Sequence, residues 1–229
     1  MRMLGTKTSL QSFRWDLIYL QAQLLADDRP GVSALATPIQ ASLSGLTAQR
    51  TALEAAEDQV IAASALLGKR DRRRDVVVIE AGGVARATDK DIYKTLFPKY
   101  NPSATAKLGI DAESAELSRI LGELAKLPVD HPLRAAYEAA LGATEAAVKA
   151  ASAQSNAAGT ALALQRSEIE RTKLEVDKKR LETHGQLLVL LKDKDEADSF
   201  FRPTTAAPDE AATPDPAAPP APPAGNKTP

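Results

Sequence analysis

Residues 70–86, RDRRRDVVVIEAGGVAR, combine the residue types best suited to chemistry on a phosphate. Five cations, Lys69, Arg70, Arg72, Arg73 and Arg74, precede the apolar run Val76-Val77-Val78-Ile79, which leads into Gly82-Gly83. Glycines let backbone N–H groups approach an anion closely, and a dense run of cations neutralises phosphates without reading sequence. The first question is therefore whether a nucleotide sits here.

The segment from Asp75 to Ala85 resembles the first strand and turn of flavin- and NAD-binding proteins, whose fingerprint is a strand followed by G-x-G-x-x-G/A. Gly82 and Ala85 stand at the second and third fingerprint positions. Glu80 stands at the first, where glycine permits the tight turn and a carboxylate faces the pyrophosphate with like charge. The resemblance implies a nucleotide-binding enzyme with its site at Gly82-Gly83. Its context departs from the family, because a lone strand makes no sheet and a second parallel strand is needed about 30 residues on. Downstream, TDKDIYKTLFP instead reads as a short helix capped by Thr88, with Ile92–Leu96 and Tyr93–Phe97 paired at i,i+4. The reading carried forward is an extension of the second helix with Val77, Ala81 and Val84 on one face. Gly82-Gly83 should break or bend it, since each glycine costs about 1 kcal/mol inside a helix relative to alanine. The basic run is then a solvated helix end, where cations complement the macrodipole, with Asp71 and Asp75 partly neutralising it. No sequence-specific nucleic-acid binding is expected, because no aromatic residue interleaves the cations.

Other chemistry is sparse. There are no cysteines and only two histidines, His131 and His184, neither with a glutamate three residues before it, so no di-iron bundle motif is present. The charges of residues 167–182 form i,i+3 and i,i+4 pairs such as Glu168–Arg171 and Glu175–Lys179, which support a solvated face. We assign no catalytic, cofactor-binding or metal-ligating residue, no cofactor and no small-molecule substrate. The aromatic residues cluster, and Trp15, Tyr19, Tyr93 and Phe97 are the candidate partner-binding residues.

The elements that must position these residues are helical. Leu10, Phe13, Leu17, Leu20 and Leu24 line one face of a first helix. A second is expected from Thr37 as N-cap with Pro38 at its first position, carrying Ile39, Leu46, Leu53, Val60 and Leu67 every seven residues. Ile110, Leu117 and Leu124 mark another, with Asp111 as its cap. A last helix is expected from Asp130-His131-Pro132 to about Asp198, with Leu141, Val148, Leu162, Ile169, Val176 and Leu190 in one register. Leu174, Leu181 and Leu188 form a second apolar row beside it, and a wide apolar face needs more than one neighbour. The period is one of packing, and no residue-identity repeat is evident between segments.

The chain has 229 residues and a net charge of -1, so nothing global draws it to polyanions. Nine of its 15 prolines fall in residues 203–229, where no Leu, Ile, Val or aromatic residue occurs. Such a segment buries too little apolar surface to offset its ordering entropy. The expected fold is all-α: an elongated, mostly antiparallel bundle of three to four helices, one very long, over residues 1–202, followed by a disordered Pro/Ala-rich tail over 203–229. The expected function is a non-enzymatic scaffold or adaptor that binds a protein partner or self-associates through amphipathic helical faces. The alternative is an amphipathic-helix protein on a membrane or polymer surface, which the sequence does not favour. With no signal-like or membrane-spanning run, a cytoplasmic location is expected.

Overall fold

The computed structural model describes residues 3–203; of the expected tail only Pro203 is included, and the rest lies outside the described residues. Every regular element among the described residues is helical, so the protein is all-α as the spacing predicts. In order they are α1 (Leu10–Ala26), a 3-10 turn (Ser33–Leu35), α2 (Ala36–Thr88), α3 (Lys90–Leu96), α4 (Pro102–Thr105), α5 (Ile110–Leu124), α6 (Pro132–Leu191) and α7 (Lys194–Ser199).

The chain gathers into two compact units, one from residues up to Glu57 and from Thr160 onward, the other from Asp58–Gly159. In the first, α1 buries the expected row Phe13, Leu17, Leu20 and Leu24 against Ile39 and Leu46 of α2 and Val176 and Leu187 of α6, and α7 adds Ala197 with Phe200 and Phe201 behind it. In the second, Leu117, Ile120 and Leu124 of α5 pack with Val77, Val78, Ala81 and Ala85 of α2 and Leu133 and Leu141 of α6, closed by Leu96 and Phe97.

The two units are built alike. In each, a helix of 15 to 17 residues leads into the start of one very long helix, and the end of the other very long helix leads to a short capped one. Asp89 and Asp193 head the matching triplets Asp-Lys-Asp, and each accepts from the two N–H groups that open α3 or α7. Eight residues after each cap a phenylalanine, Phe97 or Phe201, enters the core. The inner row of α1 has its counterpart in Glu113, Leu117, Ile120 and Leu124 of α5. The likeness is hard to read in the sequence, because outside the capping triplets, the two phenylalanines and the leucine pairs Leu17/Leu117 and Leu24/Leu124 few of the matched positions are identical.

Several boundaries differ from expectation for local reasons. Helix α2 begins at Ala36, since the preceding 3-10 turn already offers its first N–H groups acceptors, and Thr37 and Pro38 lie inside the first turn. Asp89, not Thr88, caps α3, and Gly109 stands at the cap of α5, leaving Asp111 in the first turn. Helix α6 stops at Leu191, where Lys192 takes a left-handed φ of 55° before Asp193 restarts the chain as α7.

The largest correction concerns Gly82-Gly83, where α2 neither breaks nor bends into a loop but continues to Thr88. Burial of Val77, Val78, Ala81 and Ala85 along one face outweighs the roughly 2 kcal/mol that two helical glycines cost. Gly82 has a specific reason to be there. A Cβ at Gly82 would lie 2.0 Å from Cγ of Pro102, at the start of α4, and 3.3 Å from the Phe97 ring, whereas a Cβ at Gly83 would meet nothing within 4 Å.

Candidate functional site

The continuity of α2 changes the meaning of the basic run. It lies in the helix interior, not at a helix end, and its last member, Arg74, shares the inner face with Val77, Val78 and Ala81. Arg74 is 0% exposed. Its Nη2 donates to Asp71 at 2.7 Å and to Glu113 of α5 at 2.8 Å, while Nη1 donates to Ser114 and to Glu145 of α6, each at 3.0 Å. One guanidinium thus joins three helices of the second unit. Lys149, itself largely exposed, reaches the other oxygen of Glu145 at 3.2 Å.

Acids outnumber the buried cation. Asp75 joins Asp71 and Glu113 so closely that one oxygen from each of the three lies within 4.8 Å of the others. Glu113 Oε1 and Asp75 Oδ1 are both buried and receive no N–H or hydroxyl donor from elsewhere, a costly state for a charged oxygen. A proton shared between the two carboxyls satisfies both. Burial drives the Glu113 carboxyl up to about 8, against the pull of Arg74 and with the help of Asp75 and Asp71. Burial and then Asp71 raise Asp75 as well. Glu145 behaves oppositely: burial works against its charge, but hydrogen bonds from Ser114, Arg74 and Lys149 outweigh it and hold the carboxyl low. The oxygens of Asp71, Asp75 and Glu113 are of the hard-cation type, though Arg74 already donates to two of these residues.

This arrangement predicts a pH dependence with a definite sign. A carboxyl raised in the folded state favours folding fully below its ordinary value near 4.5, and that contribution is lost as pH rises toward 8. Glu113 should therefore make the protein less stable on going from pH 5 to pH 8.5, by on the order of 3–5 kcal/mol. In Glu113→Gln that share of the slope should vanish, so the two melting-temperature profiles converge or cross with rising pH. Parallel profiles would show that Glu113 holds no proton in the folded protein.

The first unit holds a smaller counterpart. Arg180 of α6 is 3% exposed and donates to Asp177, three residues earlier as Asp71 is to Arg74, at 2.6 Å, and stands 3.7 Å from Asp16 of α1. The N–H groups of Leu4 and Gly5 bind the same Asp177 carboxylate at 2.9 Å each. Burial raises Asp16 despite Arg180 and Arg202. Nearby, His184 contacts Asp198 at 2.7 Å and meets the Phe201 ring edge-on, which fastens α7 and the residues just after it to α6. His131 accepts from the Leu133 N–H at the start of α6, a capping role.

The four sequence-nominated aromatic residues fall into different settings. Trp15 is 46% exposed on α1 with the Arg202 guanidinium over its ring, and Tyr19 is half-buried. Tyr93 is half-buried and packs on Phe97 at 5.5 Å, while Phe97 is a core residue of the second unit. Trp15 and Tyr19 belong to the first unit, Tyr93 and Phe97 to the second. The buried arginine clusters were missed. Their signal was present in the three- and four-residue spacing of Arg74 from Val77 and Val78, but it was masked by grouping Arg74 with its outward-facing neighbours. No known protein family, curated protein or solved structure matches the chain.

Proposed function

We propose that the protein is a non-enzymatic helical scaffold or adaptor, whose partner is a helix of another protein or of a second copy. The supporting observation is on α6. The row Leu174, Leu181 and Leu188 needs a neighbour beyond the first core; Leu188 packs against that core, but Leu174 and Leu181 remain 53% and 52% exposed. Two leucines seven residues apart on a rigid helix are the spacing a partner helix receives. The buried Arg74 serves this role as a fixed joint, since it binds α2 to α5 and α6 through several charged hydrogen bonds.

The test compares the full chain with Leu174→Gln/Leu181→Gln by sedimentation equilibrium and by affinity capture. The double substitution should lower the association constant for self-association, or for each captured protein, by at least about tenfold, since burying what remains exposed of each leucine is worth roughly 1 kcal/mol. Both sites are exposed, so the helical signal should be unchanged. An identical mass and an identical set of captured proteins would remove the support for this reading.

A further inference from the structure

Asp71 and Asp75, the acids expected from sequence to neutralise the basic run, do not face it. Asp71 accepts a hydrogen bond from Arg74, and Asp75 lies with Asp71 and Glu113. The inward cluster absorbs the acids and leaves Lys69, Arg70, Arg72 and Arg73 exposed, none with an ion-pair partner among the described residues. The cations also have apolar company. Lys69, Arg72, Arg73, Val76 and Ile79 stand at the i, i+3, i+4, i+7 and i+10 positions of one stripe on the outer face of α2, and Val76 and Ile79 are 43% and 45% exposed. Glu80 is the one acid among them, and Arg86 follows one and a half turns later. The continuous helix holds this face rigid over about 15 Å, at 1.5 Å per residue.

We infer that this face of α2 is a docking surface for an anionic lipid bilayer, bound peripherally through phosphate and carboxylate headgroups. Charge complementarity selects a polyanion, and the branched aliphatic side chains select between the polyanions. Val76 and Ile79 enter the headgroup boundary of a bilayer, where apolar burial adds to electrostatic attraction. A single-stranded nucleic acid would reward aromatic rings, of which residues 69–86 have none, and a duplex, bound through its phosphates, would gain little from Val76 and Ile79. Each cation near an anionic surface is worth about 1 kcal/mol, so the cations Lys69, Arg72 and Arg73 make a surface that binds measurably yet reversibly in salt. This surface is independent of the leucine row on α6, and either can fail without the other.

The experiment is vesicle sedimentation of the full chain with phosphatidylcholine alone and with phosphatidylcholine containing one-third phosphatidylserine, alongside a DNA duplex binding assay. The protein should bind the anionic vesicles, release them in 0.5 M salt, and ignore the neutral ones. Arg72→Gln/Arg73→Gln should weaken vesicle binding about 30-fold, the factor that corresponds to two surface cations. Lys69→Gln/Arg72→Gln should do the same, and circular dichroism should confirm that both remain folded. Ile79→Ser should weaken vesicle binding several-fold and leave any DNA binding unchanged. Absence of binding to anionic vesicles, or equal binding by the charge variants, would overturn the inference. DNA binding tighter than vesicle binding and indifferent to Ile79→Ser would assign the face to nucleic acid and overturn it equally.

Discussion

Arg74→Met should destabilise the protein by about 3–5 kcal/mol, the usual cost of removing one partner from a buried ion pair. Methionine nearly matches the stem of arginine, so the loss is of charge and hydrogen bonds more than of packing. It strands the Glu145 carboxylate and takes a donor from Glu113, both with side chains no more than 5% exposed, and removes the joint between α2, α5 and α6. Arg73→Met, one residue away and exposed, should change stability by no more than about 0.5 kcal/mol. Urea unfolding followed by circular dichroism measures both. Adding Glu113→Leu and Glu145→Met to Arg74→Met should recover much of the loss, because a well-packed apolar replacement of a buried ionic cluster is often neutral or better. Equal effects at residues 73 and 74 would mean that Arg74 does not face inward.

The paired glycines provide the second large effect, and the two should have opposite signs. Gly82→Ala places a methyl group 2.0 Å from the Pro102 ring, so α4 or α2 must shift, at a cost of about 1–3 kcal/mol or more. Gly83→Ala meets nothing and should stabilise the helix by about 1 kcal/mol. Pro102→Ala should relieve part of the Gly82→Ala loss, which a double-mutant cycle of melting or denaturant data would report as a coupling energy. Two losses of similar size would argue for a tight backbone turn at both glycines in place of a helix.

Much of this architecture is legible in the sequence. The inner row of α1 and the seven-residue rows of α5 and of α6 from Leu141 to Val176 are read directly, because burial against a neighbouring helix requires apolar side chains at helical spacing, whereas Leu190, expected in the same row, is 44% exposed and Leu187 fills the core there. What is not legible depends on contacts distant in sequence. Glycine at position 82 looks like a helix breaker until Pro102, twenty residues later, is seen against it. Arg74 looks like one of five surface cations until Glu113 and Glu145 supply its acceptors, and Asp71 and Asp75 look like surface neutralisers for the same reason. The like construction of the two units is hidden because packing preserves the type and spacing of buried residues and tolerates change in their identity. Phe97 shows the converse failure: its neighbour Tyr93 makes an aromatic pair that resembles a binding patch, yet Phe97 fills core space beside Gly82.

It is as one uninterrupted helix through residues 70–86 that α2 sends Arg74, Asp71 and Asp75 inward and the remaining cations outward. Backbone chemical shifts and amide hydrogen exchange across this stretch, measured by NMR on the full chain, read that feature residue by residue. Helical shifts from Arg70 to Arg86, with slow exchange continuing through Gly82 and Gly83, are the predicted result. Extended shifts at Val76–Ile79 followed by fast exchange at the two glycines would contradict it.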